Sequence, residues 1–163
     1  MQTSTVRHHH PLGESVLAAL IFAIATVAVA GIGSIATSSG RDWYETLEKP
    51  AFTPPDATFG VVWTVLYVAI AVAGWLAWRA SDSSRPTVWW AVQMALNLLW
   101  TAVFFGLESP AGGIVVIAAL LVAVAMDLRA SARADTTAAV LLFPYLVWCG
   151  FAAALTVGVA VLN

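Results

Sequence analysis

The residues of this sequence that could do chemistry are its aromatics. It holds eight tryptophans, three tyrosines and seven phenylalanines, and several recur at helical spacing. Phe59 and Trp63 are four apart and share one helical face, with Tyr67 further along the same stretch. Tyr145, Trp148 and Ala152 follow at i, i+3 and i+7, again on one face. Large rings beside a small alanine can form a flat-walled slot for a planar guest; the competing reading is ordinary aromatic core packing. Gln93, Asn97 and Trp100 define a third face at i, i+4 and i+7. Amides in hydrocarbon need partners, because an unpaired one costs on the order of a few kcal/mol. Two readings of that face stay open: interhelical hydrogen bonds, at ~0.6–2 kcal/mol each, or the wall of a ligand pocket.

Such groups can stack on a flat apolar molecule and orient its polar edges. Hydrolytic or metal chemistry has little to work with. Cys149 is the single cysteine, which excludes an internal disulfide and any cysteine-based metal cluster. No His, Asp or Glu lies in mid-span except Asp127, near a helix end. The run His8, His9 and His10 could bind metal or belong to a tag, but it is short and terminal. It reads as part of a solvated N-terminus, residues 1–14, and no metal site is expected.

These aromatics must be positioned by a membrane bundle. Apolar residues make up 61 % of the chain and charged residues 10 %, with a mean hydropathy of +0.87. Soluble domains are about 45–50 % apolar and about 25 % charged. A chain of 163 residues cannot hide so much apolar surface from water. A net charge of −2 gives no reason to expect a nucleic-acid partner. With roughly 20 apolar residues needed per crossing, five spans are expected: Ser15–Ala36, Phe59–Ala80, Val88–Leu107, Gly112–Leu128 and Thr137–Leu162. The fold class is therefore all-α, a single domain of five transmembrane helices over residues 15–163. The first apolar run is too long for a signal-peptide core. Trp75 and Trp78 sit where an aromatic belt belongs, Ala91 and Ala95 form a small-xxx-small pair suited to a helix–helix or dimer contact, and Pro144 should kink the fifth span.

The one long connection, residues 40–58, carries Pro50, Pro54 and Pro55, which fix φ and remove donors, so that part cannot be helix interior. A stiff cap leading into the second span is expected. Lys49 is expected to tie it together by pairing with Asp42, Glu45 or Glu48. Arg7, Arg79, Arg85, Arg129 and Arg133 fall on one side of the membrane and Arg41 and Lys49 on the other. Positive-inside logic puts the N-terminus in the cytoplasm, in the cell membrane, with the cap outside.

Taken together, these segments resemble the translocator protein family, also called tryptophan-rich sensory proteins or peripheral benzodiazepine receptor-like proteins (TspO/MBR). WYETLEKPAFTPPDATFGVVWTVLY, from Trp43 to Tyr67, is similar to the family's W-Y-x-x-L-x-K-P-x-[FW]-x-P-P loop and its second-helix W-x-x-L-Y. Gln93, Asn97, Trp100, Phe104 and Phe105 resemble the third-helix pattern. Pro144, Tyr145, Trp148, Phe151 and Ala152 resemble the fifth-helix P-Y-x-x-W-x-x-F-A. The resemblance implies a five-helix bundle, usually a homodimer, with a pocket capped by the first loop. It implies porphyrin or haem as ligand, with no cofactor required, and sterols or benzodiazepine-type ligands in some relatives. Carried over, the ligand-binding residues are Tyr44, Pro54, Phe59, Trp63, Tyr67, Asn97, Trp100, Tyr145, Trp148 and Ala152.

The resemblance further implies a possible photo-oxidative role for Trp63 and Trp148, since tryptophans matching them are implicated in light- and oxygen-dependent porphyrin breakdown. A binding or sensory protein is the leading expectation, and a transporter of tetrapyrroles or other lipophilic molecules is the alternative. Two departures stand out. Thr156 replaces the asparagine of the family's A-x-x-L-N, and no Lys or Arg follows Tyr145 as the sterol motif requires, which argues against cholesterol.

Overall fold

The computed structural model describes residues 11–163. The histidine run and Arg7 lie outside the described residues. Five helices long and apolar enough to cross a membrane are present. They are α1 (Leu12–Ser39), α3 (Asp56–Ala80), α4 (Arg85–Thr101, continued by a π-helical turn over Ala102–Gly106), α5 (Pro110–Ala134) and α6 (Thr136–Leu162). A short helix, α2 (Arg41–Thr46), lies in the first connection.

Each helix starts where its sequence permits. Pro110 occupies the first turn of α5, where a missing N–H costs nothing, and the Ser109 side chain accepts from the Gly112 amide at 3.1 Å. The Asp135 carboxylate caps α6 by accepting from the Ala138 amide at 3.0 Å. The spans run longer than apolar content alone suggests. Helix α5 continues through Arg129 and Arg133 to Ala134 because polar residues outside hydrocarbon remain good helix formers. Trp43 and Tyr44 likewise fall in a helical turn, α2, whereas Leu47–Pro55 between α2 and α3 is irregular, as the prolines require.

The outward faces are apolar. On α3, Val61, Val65 and Val68 are 67 %, 63 % and 62 % exposed, a stripe that only lipid can cover. The inward faces meet in a core that includes Phe22, Ile70, Ala73, Trp90, Val124 and Leu142. Small residues let the helices close up. A Cβ on Gly74 would lie 2.7 Å from both the Phe22 and Trp90 rings. Trp90 also donates its indole N–H to the Ile70 carbonyl at 3.1 Å. Trp75, placed by sequence in an aromatic belt, donates to the Ser15 carbonyl at 3.0 Å, while Arg79 sits over its ring at 4.7 Å.

The first connection forms a lid over one end of the bundle, held at three places. Gly40 packs its Cα directly against the Phe105 carbonyl, and Gly158 of α6 receives the Pro50 ring. Asn163 grips the Glu48 backbone from both sides, its Oδ1 accepting from the amide at 3.0 Å and its Nδ2 donating to the carbonyl at 3.1 Å. Lys49 does not take the expected carboxylate partner. Its ammonium lies 4.8 Å above the Tyr44 ring and 3.5 Å from the Glu45 backbone oxygen. The Glu45 side chain pairs instead with Arg41, one helical turn back, at 3.5 Å.

Candidate ligand cavity beneath the lid

Under the lid lies a cavity of about 490 Å³, within the range of about 300–1,000 Å³ typical of small-molecule sites. Helix α3 supplies Phe59, Trp63 and Tyr67 from one face. Helix α4 and its π turn supply Trp100 and Phe104, α6 supplies Trp148 and Ala152, and the lid supplies Tyr44. The indoles converge from separate helices. Trp63 stacks on Tyr67 with centroids 5.3 Å apart and meets Trp148 edge-on at 6.5 Å and 89°. Phe59 abuts Trp148 at 5.8 Å, and Trp100 stacks on Phe104 at 5.5 Å and 18°.

The remaining carried-over positions stand elsewhere. Asn97 and Tyr145 lie one layer behind the wall, 1 % and 0 % exposed. The Tyr67 hydroxyl donates to Asn97 Oδ1 at 2.9 Å, and Asn97 Nδ2 donates to the Tyr145 hydroxyl at 3.1 Å. Three spans are thereby tied together by one amide, which holds Tyr67 against the cavity. Of the two readings of this helix face, interhelical bonding describes Asn97 and pocket wall describes Trp100. Gln93 does neither. Pro54 is half-buried in the lid and does not line the cavity. Replacing Asn97 with Leu strands two hydroxyls in the interior. A loss of about 1–3 kcal/mol is expected, read as a lower thermal midpoint in detergent.

The mouth is polar. Arg41, Glu45 and Asp56 line it, with Arg41 reaching Asp56 at 3.7 Å across the gap between lid and α3. Both partners are well exposed, so this pair is weak and easily opened. Burial, and secondarily the Asp56 carboxylate, hold the Tyr44 phenol above its ordinary range.

Sequence patterning did not reveal the wall given by α1. Ala30, Gly33, Ser34 and Thr37 line the cavity, and small residues carry no chemical signature. Thr156, where the family's asparagine is replaced, also lines it. Its hydroxyl is turned back onto the Ala152 carbonyl at 2.8 Å.

Residues 20–162 match the TspO/MBR family. The chain is similar to the tryptophan-rich protein TspO of Archaeoglobus fulgidus, 39 % identical over 86 % of this chain and 93 % of the relative. It is 38 % identical to the protein of the same name from Chlorobaculum tepidum, over 84 % and 90 % of the two chains. It is also 32 % identical to the human translocator protein, over 69 % of each. The match over residues 20–162, nearly the whole length of the five-helix bundle, shows that the chain belongs to the TspO/MBR family, as an integral, multi-pass membrane protein.

Proposed function

We propose that this protein is a membrane receptor for a flat hydrophobic ligand of the porphyrin or haem class, held in the cavity beneath the lid. The observation that carries the proposal is the meeting of Trp63 and Trp148, from α3 and α6, at the wall of a cavity large enough for a small-molecule guest. Their rings offer π faces and edges, and the Tyr44 hydroxyl and Arg41 at the mouth offer polar contacts to a ligand's periphery. Relatives named translocator protein and tryptophan-rich sensory protein support a translocating or sensory role. The basic residues Arg79, Arg85, Arg129 and Arg133 lie at the end of the bundle remote from the lid, which supports a cytoplasmic N-terminus and an external lid. Ala91 and Ala95 lie on the exposed face of α4, where a second copy can pack to form the homodimer.

Titration of the detergent-purified protein with protoporphyrin tests this reading. Saturable quenching of tryptophan emission is expected, and absence of quenching removes the claim. A second reading, photo-oxidative breakdown of the ligand with molecular oxygen as the oxidant, is favoured by the same adjacency, since indoles beside an excited ring can react with the oxygen it activates. Under illumination in air, the bound porphyrin absorbance should decay faster in the wild type than in the Trp63→Phe, Trp148→Phe protein. Equal decay in both would assign the reaction to the porphyrin alone.

A further inference from the structure

The polar groups that the cavity leaves unexplained lie deeper, towards the other end of the bundle. Asp127 of α5 is 1 % exposed inside an apolar span. Its Oδ1 accepts from the Ser131 hydroxyl at 3.3 Å, while among the described residues its Oδ2 has no hydrogen-bond partner. Gln93 of α4 is 0 % exposed, and neither its Oε1 nor its Nε2 has a partner.

The two residues lie about one helical turn apart in depth on neighbouring helices. Helices α4 and α5 run antiparallel about a short connection, and Gly113 packs on the Phe104 ring near it. From that contact, at about 1.5 Å per residue, Gln93 lies about 16 Å along α4 and Asp127 about 21 Å along α5, a difference of roughly one turn. Asp127 continues the buried stripe Gly113, Ile117, Leu120 and Val124 of α5, and Gln93 lies between buried Trp90 and Asn97 of α4.

An ionised carboxylate here would need a cation. Helix α4 offers Arg85 at its start, α3 offers Arg79 at its end, and α5 itself offers Arg129 and Arg133. All four are exposed. Helix α6 brings only its cap, Asp135, and deeper Tyr145 and Cys149, α3 brings no other charge on this side of Tyr67, and α1, which packs on α4, brings the exposed Glu14 near its start, an acid and no cation. Among the described residues no ion pair reaches Asp127. A buried charge without a partner costs several kcal/mol by order of magnitude, and carboxyls within spans commonly serve proton or ion paths. A neutral carboxyl avoids that cost, and its O–H is a donor for which the Gln93 Oε1, itself without a partner among the described residues, is an acceptor one turn away.

We propose that Asp127 and Gln93 form a proton-binding site inside the bundle, in the half remote from the lid and separate from the aromatic cavity. The ligand is a proton delivered by water. It adds to Asp127 Oδ2 and converts carboxylate to carboxylic acid, with no other bond made or broken. Ser131 fixes the rotamer by holding Oδ1.

Infrared difference spectroscopy of the full chain in lipid tests this independently of any porphyrin. In wild type labelled with carbon-13 aspartate, an isotope-shifted carboxylic-acid stretch is expected at neutral pH. It should be lost reversibly as the pH is raised. Asp127→Asn should lack the band, and Gln93→Leu should move it to higher frequency by removing an acceptor. Since labelled wild type alone reports the acid, a variant that fails to fold does not decide the matter. No acid band from labelled aspartate at neutral pH overturns the proposal. So does a band that survives in Asp127→Asn, or one that persists at alkaline pH.

Discussion

Trp63→Ala combined with Trp148→Ala is expected to weaken the proposed porphyrin binding at least tenfold, about 1.4 kcal/mol. The magnitude follows from what is removed. Each indole is half-buried and presents part of its ring to the cavity. Trp63 is backed by Tyr67 at 5.3 Å and Trp148 by Phe59 at 5.8 Å, so both rings are held firmly before a ligand arrives. An aromatic contact is worth ~0.5–1.5 kcal/mol beyond the burial it brings. Two such losses together bracket the tenfold change, before counting the guest's looser fit in the widened space. The measurement is the shift of porphyrin absorbance on titration, which does not depend on the two fluorophores removed. Trp→Phe at both positions retains an aromatic wall and should lose less. Unchanged affinity in the double alanine protein would place the porphyrin elsewhere on the molecule.

Gly40→Ala is expected to unseat the lid, lowering stability by about 1–3 kcal/mol. Conformation is not the reason: Gly40 has φ −93°, which any residue adopts. Space is the reason. A Cβ there would meet the Phe105 carbonyl oxygen and lie 2.8 Å from its carbon and 2.9 Å from its Cα. These are backbone atoms, and no change of rotamer moves them. Relief requires displacing α2 from the π turn, which also opens the cavity roof at Tyr44. A lowered thermal midpoint with weakened porphyrin binding is expected. Gly150→Ala is the control, because a Cβ there meets nothing within 4 Å. Equal midpoints for Gly40→Ala and wild type would mean that the lid is not seated through this contact.

The fold could be read from composition and span length because lipid forces every apolar run of this length into a helix. Phe59 and Trp63 were legible as a pair because four-residue spacing fixes a face regardless of what lies opposite. Asn97 shows where that reasoning stops. Spacing put it on the same face as Trp100, but only the hydroxyls of Tyr67 and Tyr145, from two other helices, pull its amide behind the wall. Lys49 shows a second limit. Three nearby carboxylates suggested an ion pair, yet the Tyr44 ring lies beneath the ammonium and Arg41 takes Glu45. The contribution of α1 was invisible for a different reason, since Gly33 and Ala30 act by lacking bulk.

The Pro50 ring resting on Gly158 has a practical consequence. One partner is a rigid heterocycle and the other has no side chain, so the joint has no soft coordinate through which to yield by degrees. Substitutions of increasing size at Gly158 should therefore behave as a step, whereas trimming an indole in the chamber should produce a ramp. Because different atoms set the seating of the cover and the hold on a guest, genetics can dissect the two separately.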